Sequence, residues 1–167
     1  MYLFRHFLLT LLLAVGASPL SAAGLQSPSG AIVLTIAGTI EKHNAGDRAV
    51  FDRAMLEALD WRTVRTFTSF TEGEQEFSGP TLASVLAAVA ASGDVLRATA
   101  INDYAVTLNA ADAATHDVLL AMDHNGRPMR VRDKGPIWVV YPLSEAEAQG
   151  KPFDAEMIWQ LDRIFVE

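Results

Sequence analysis

The order of apolar patterns along the chain is the feature that most restricts its fold. From 82 to 89 the apolar residues recur at i, i+3, i+4 and i+7, which is the spacing of one helix face. Pro80 suits the first position of this helix and Gly93 its end. A second, four-residue repeat predicts an earlier helix capped by Asp47; it consists of Phe51, Met55 and Leu59. Since strand-like runs follow both helices, we expect an α+β domain rather than alternating βαβ units.

The strand-like runs are short and bounded by turn residues. Asn125-Gly126 lies between two of them, and Asn-Gly is the strongest local signal of a hairpin. Segment 144–152 is polar and predicts a loop. The expected fold is therefore α+β, a mixed sheet or partial barrel with a few helices. The predicted strands are 31–36, 64–70, 95–101, 104–108, 118–122, 128–132, 137–141 and 159–166.

Residues 1–23 have the composition of a secretory signal peptide. Arg5 precedes an apolar run over 7–15, and Ser21-Ala22-Ala23 supplies small residues for a cut after Ala23. The run is about half the length that spans a bilayer, roughly 20 residues. We expect one mature domain over 24–167, not transmembrane, in the periplasm or secreted; the alternative is an uncleaved anchor. The signal has no Arg-Arg pair, which favours export as an unfolded chain.

Composition excludes several functions. There are 20 Asp and Glu against 13 Lys and Arg, a net charge of -7, which disfavours nucleic acid as a partner. The absence of Cys excludes disulfides, iron–sulfur clusters and thiol nucleophiles. We find no phosphate-binding Gly-rich loop and no Gly-x-Ser-x-Gly elbow. His43, His116 and His124 have no His partner at metal-ligand spacing, so neither a metal site nor a catalytic residue is predicted.

Polar residues interrupt the apolar pattern at four places where loops could present them to a ligand: 43–44, 66–69, 102–104 and 133–136. Asn44 and Asn102 could instead only shape turns. The three tryptophans, Trp61, Trp138 and Trp159, could stack on a planar ligand or only pack in the core. In the ligand hypothesis Asn44, Tyr104 and Lys134 donate hydrogen bonds, and Lys134 supplies positive charge. The candidate ligand-binding residues are His43, Asn44, Thr68, Ser69, Asp103, Tyr104, Lys134 and Trp138.

Five segments, in order and with suitable spacing, resemble the molybdopterin-binding domain of sulfite-oxidase-type oxidoreductases. They cover most of the mature chain. The resemblance implies the mixed α+β fold of that domain, with molybdopterin held between its loops. The segments are Phe77–Leu82 with Val85-Leu86, Asp103-Tyr104 with Leu108, Leu119–Met122 with Asn125–Pro128, Lys134–Pro142, and Trp159–Val166.

The chain departs from the family pattern at positions that the resemblance links to the cofactor. The family's molybdenum-binding Cys would lie near 66–69, where this chain has Thr and Ser, and a hydroxyl does not replace a soft thiolate. Lys134 stands in the place of a His, Trp138 of an Arg and Ile158 of a Lys. Asn44 could match an Asn or His that the family turns toward the pterin. Family members acquire molybdopterin in the cytoplasm, which conflicts with export as an unfolded chain.

Three functions remain open at this point. The first is an exported domain of this fold, without cofactor or molybdenum catalysis, that binds a small anionic or planar ligand. The second is a divergent molybdopterin-dependent oxidoreductase in which Thr68, Ser69 or water completes the metal shell. The third is an interaction module for a periplasmic or membrane protein, which predicts an exposed apolar patch and no ligand-sized pocket. A deep pocket lined by Asn44, Tyr104 and Lys134 would favour the first.

Overall fold

The computed structural model describes residues 24–167, so the predicted signal peptide over 1–23 lies outside the described residues. The described chain is rich in strands, with four short α-helices. The helices are α1 (Arg53–Glu57), α2 (Leu82–Ala88), α3 (Asp112–Thr115) and α4 (Glu145–Gln149). The strands are β1 (Ile32–Gly38), β2 (Ala49–Asp52), β3 (Trp61–Thr66), β4 (Gln75–Pro80), β5 (Val95–Ala100), β6 (Ala105–Asn109), β7 (Leu119–Ala121), β8 (Asp123–His124), β9 (Arg127–Pro128), β10 (Trp138–Val140) and β11 (Leu161–Val166).

The strands form three sheets that do not close into a barrel within residues 24–167. The largest has the order β2-β1-β11-β5-β6, in which β1 and β11 run parallel and the other pairs antiparallel. A second sheet has the order β3-β4-β8-β9, and β7 pairs with β10 alone. This arrangement confirms the expected α+β class with a mixed sheet.

Two apolar clusters hold these sheets together. The larger lies between the five-stranded sheet and α2, where Leu34, Ile36, Val85 and Leu96 are fully buried. The smaller cluster is built around Phe77 and includes Met129 and Trp138. Burying apolar side chains of this size contributes about 1.5–3 kcal/mol each. The smaller cluster also forms the back of the site described below.

Several predicted elements are confirmed. Asn125 and Gly126 both have positive φ, as a tight hairpin turn between β8 and β9 requires. The pairs β5–β6 and β7–β10 form within the runs predicted from their apolar residues. The last strand pairs with β1 and β5 in the centre of the large sheet.

Several local predictions are wrong. The strand predicted over 128–132 ends at Pro128, and Val131–Asp133 form a 3-10 helix. Residues after Asp47 form β2, and the cap of α1 is Asp52, whose carboxylate accepts from the Met55 N–H at 2.9 Å. Of the four-residue repeat, Phe51 lies in β2, Met55 in α1, and Leu59 beyond the end of α1. Pro80 ends β4 and is not the first residue of α2; Thr81 caps this helix, which ends at Ala88 and not at Gly93.

The prediction of a loop over 144–152 is also wrong, because this segment contains the helix α4. Ser144 and Glu147 form a reciprocal capping box there, which stabilises a helix start without any apolar periodicity. Among the described residues, no helix is long and apolar enough to cross a membrane.

Candidate functional site: an aromatic cavity beside Lys134

Four aromatic residues from distant parts of the chain, here called the aromatic cluster, meet at one side of the domain: Phe70, Phe77, Trp138 and Trp159. The Phe70 and Trp159 ring centroids lie 5.3 Å apart, edge to face, and those of Phe77 and Trp138 lie 5.2 Å apart. Trp138 is buried, and its indole N–H donates to the Met157 carbonyl at 3.0 Å. Because this N–H is satisfied, Trp138 forms a stable rear wall for the rings in front of it.

Lys134 holds this cluster from one side. Its backbone is left-handed, with φ of 73°, directly before Gly135-Pro136. The ammonium donates to the Phe70 carbonyl at 3.1 Å and lies 4.4 Å from the Trp138 ring centroid and 5.2 Å from that of Trp159. Burial lowers the pKa of Lys134. Because the ammonium contacts the Phe70 carbonyl and lies near the rings of Trp138 and Trp159, it stabilises the aromatic cluster directly.

A cavity of about 360 Å³ opens beside the cluster, and we call it the aromatic cavity. Its volume lies at the lower end of the range of small-molecule sites, roughly 300–1,000 Å³. Three aromatic side chains and several polar groups line it. Among the described residues of the lining, Asp154 alone is charged. The aromatic and polar residues of the lining are Phe70, Tyr104, Trp159, Asn102, Asp154 and Gln160.

Asp154 joins two walls of the cavity. The Ser69 hydroxyl donates to its carboxylate oxygen Oδ1 at 2.5 Å, although the two residues are far apart in sequence. Ser69 belongs to the loop between β3 and β4, and Asp154 to the segment before β11. On the opposite wall, the Asn102 side chain accepts from the Tyr104 N–H at 3.2 Å and shapes the β5–β6 turn.

The structure brings four of the predicted site residues to this region. Tyr104 lines the cavity, Ser69 holds Asp154, and Lys134 and Trp138 stand behind Phe70 and Trp159. Thr68 lies in the same loop, but its hydroxyl bonds that of Thr71 at 2.9 Å.

The other three predicted residues lie elsewhere. The Asn44 amide donates to the carbonyls of Gln26 and Val50, and its oxygen accepts from the Val50 N–H, so Asn44 fastens its own loop. His43 is exposed next to it. The Asp103 carboxylate pairs with Arg163 at 2.5 Å on the outer face of the large sheet. The aromatic cavity therefore contains Tyr104 in its lining but neither Asn44 nor Lys134.

Sequence reasoning missed Phe70 and Asp154. Neither carries a local signal, because each becomes part of a wall only when two loops meet in the folded domain. The tryptophans were recognised as possible stacking residues, and Trp159, 38% exposed beside Phe70, has that position.

The residues at the positions that the family resemblance links to the cofactor lie close together, but they do not fit a thiolate-held molybdenum. The Thr66 hydroxyl accepts from the Leu143 N–H at 2.7 Å and donates to the Leu143 carbonyl at 3.0 Å. Lys134 presents an ammonium and Trp138 an indole, neither of which has a lone pair for a metal. Within residues 24–167, no group of three or more His, Cys, Asp or Glu side chains could hold a metal ion.

The mixed sheets, the short helices and the loops that meet at Lys134 form the α+β fold expected of a molybdopterin-binding domain. Residues 47–153 match the model of the oxidoreductase molybdopterin binding domain, and the chain belongs to this family. The crystal structure of the sulfane dehydrogenase SoxCD from Paracoccus pantotrophus has the same fold, with a TM-score of 0.57 and 20% sequence identity. The match covers 80% of this chain but 37% of that one. No curated protein matches.

Proposed function

We propose that this protein is an exported domain that keeps the molybdopterin-binding fold, performs no molybdenum chemistry and binds a small planar ligand in the aromatic cavity. The observation that carries the proposal is the aromatic cluster itself. It occupies the place where loop 66–70, Lys134 and Trp138 meet, and the polar atoms there are already engaged by the protein.

The cavity favours a planar ligand because its walls are rings at different angles. Phe70 and Trp159 stand edge to face, and Tyr104 also lines the cavity. A planar group packed against the exposed part of Trp159 or Tyr104 gains about 0.5–1.5 kcal/mol per aromatic contact beyond the area it buries. Asn102 and Gln160 can then orient it through hydrogen bonds.

Two features keep the cavity walls in place before a ligand arrives. The Trp138 indole is fixed by Met157, and Lys134 fastens the carbonyl of Phe70. A preformed site loses less side-chain entropy on binding, which is a cost of about 0.5–1.5 kcal/mol for each side chain ordered. A cavity of this kind also supports a ligand-binding role more directly than that of an interaction module.

Metal and pterin analysis tests the first part of this proposal. The mature protein is purified from the periplasm of its own host, grown with added molybdate so that supply is not limiting. We expect molybdenum and pterin fluorescence far below one equivalent in folded protein, and an N-terminus at Gly24. A variant lacking 2–23, retained in the cytoplasm, controls for the route of export and should be equally free of both. Near-stoichiometric molybdenum and pterin would establish the oxidoreductase alternative.

Binding to the aromatic cavity is tested by nitrogen-15 NMR with benzamide as a neutral planar probe. The chain has three tryptophans and therefore three indole N–H signals. We expect the Trp159 signal to shift on titration while that of Trp61, which lies against Arg53, stays in place. Followed by the backbone amide signals of the cavity lining, binding should be lost in Trp159→Leu and kept in Trp61→Phe. Absence of any Trp159 shift at millimolar probe would contradict ligand binding here.

A further inference from the structure

We infer that the aromatic cavity selects planar groups that carry a positively charged nitrogen, of the amidinium class, through Asp154. The inference rests on the proposed function, since it concerns which ligand the same cavity accepts. It follows from the charge of the lining, the geometry around Asp154 and the response of the neighbouring rings to a cation.

The lining offers an anion nothing of opposite charge. Asp154 contributes a carboxylate, while Lys134 stands outside the lining with its ammonium on the Phe70 carbonyl. The whole chain carries a net charge of -7, which raises the local concentration of cations near its surface. These charges disfavour the anionic ligand that the sequence alone left open.

The geometry around Asp154 suits an amidinium. Ser69 engages Oδ1, whereas Oδ2 has no hydrogen-bond partner within the described part of the chain. A planar amidinium presents two parallel N–H groups, which pair with a carboxylate in a bidentate manner and about twice as strongly as neutral hydrogen bonds. The Ser69 hydroxyl holds the acceptor in one orientation, so less freedom is lost when a ligand binds.

The rings of the cavity already interact with a cation. Lys134 lies within cation–π distance of Trp159 and Phe70, both of which also line the cavity. A planar cation stacked on Trp159 would be stabilised by the same kind of cation–π attraction. The positive charge of Lys134 opposes a second cation, and Asp154 is the group in the lining that can offset it. Selectivity must therefore depend on Asp154.

The test uses benzamidine, benzamide and benzoate, which have nearly the same shape and charges of +1, 0 and −1. Affinities are measured from the Trp159 indole signal at low salt. We expect benzamidine to bind about tenfold more tightly than benzamide, which is the scale of one charge-assisted hydrogen bond, and benzoate to bind most weakly.

Asp154→Asn is the matched variant, because it keeps the shape of the side chain. It should lower the benzamidine affinity to that of benzamide and leave benzamide unchanged. Ser69→Ala removes the hydroxyl that holds Asp154 and is a smaller perturbation of the same pair. It should lower the affinity for benzamidine and leave the affinity for benzamide unchanged. Unfolding curves of both variants confirm that they are folded.

The outcomes separate this inference from the proposed function. Equal binding of benzamidine and benzamide, or benzoate binding most tightly, would overturn the charge selectivity while the cavity remained a ligand site. Binding of none of the three probes would overturn the proposed function as well. Loss of benzamide binding in Asp154→Asn would mean that Asp154 shapes the cavity rather than recognises charge.

Discussion

Replacing Thr66 by Val tests whether the family's metal-binding region has become structural in this chain. Thr66 is fully buried, and its hydroxyl closes a pair of hydrogen bonds with the backbone of Leu143 at 2.7 and 3.0 Å. These bonds join the end of β3 to the segment after β10, at the base of the loop that carries Phe70. Val has almost the same volume as Thr, so the substitution removes the hydroxyl without opening a cavity.

The magnitude follows from the Leu143 N–H. Without the hydroxyl, this N–H has lost its acceptor, and leaving a buried donor unsatisfied costs about 1–3 kcal/mol. Thr66→Ser keeps both hydrogen bonds and removes one methyl group, which costs about 0.8 kcal/mol. We therefore expect Thr66→Val to destabilise the domain more than Thr66→Ser does, measured by urea unfolding at equal slope. A smaller loss for Val than for Ser would refute the assignment of Thr66 as a structural hydrogen-bonding residue.

Three further predictions concern stability, packing and charge. Asp52 accepts from Ser29, Gly30 and Met55, and these backbone hydrogen bonds lower its pKa from the ordinary 3.8. Because the folded-state pKa is the lower one, the stability that Asp52 contributes is complete above the unfolded-state pKa, near the ordinary 3.8, and is lost as the pH falls through the folded pKa. The urea midpoint of Asp52→Asn should therefore lie below that of the wild type at pH 7 and approach it in acid; a constant difference would contradict this. Gly79→Ala would drive a methyl group into the Leu120 carbonyl of β7, with an expected loss of about 3 kcal/mol or more, and an unchanged unfolding midpoint would refute the close approach of β4 and β7. Lys134→Met removes the charge and the bond to Phe70, so we expect about 1 kcal/mol less stability and tighter benzamidine binding; weaker binding would show that Lys134 acts by shaping the cavity.

The family and its fold could be predicted from local patterns. The helix after Pro80 has a regular apolar repeat, and Asn125-Gly126 marks its hairpin unambiguously because both positions require positive φ. The segment that forms β2 is ambiguous in the sequence, since Phe51 fits both a helix face and a buried strand. Only the pairing of β2 with β1 decides between them. The short helix α4 depends on a capping box, a signal that does not require apolar periodicity.

The candidate site could be predicted in part. Ser69, Tyr104, Lys134 and Trp138 were identified because they interrupt or follow apolar runs, and they do lie together. Asn44 satisfies the same criterion, but its amide is consumed by its own loop. A polar residue in a loop can point inward to the backbone or outward to a ligand, and the local sequence is the same in both cases.

The sequence by itself determined the α+β class, the family and the absence of any thiol that could hold molybdenum, because these depend on residue types and their spacing. The tertiary structure alone decided that Phe70, Trp159 and Asp154 share a cavity. Their contacts join loops separated by about half of the chain, as the Ser69–Asp154 hydrogen bond shows. Such contacts form only after the sheets are packed, so no local pattern records them.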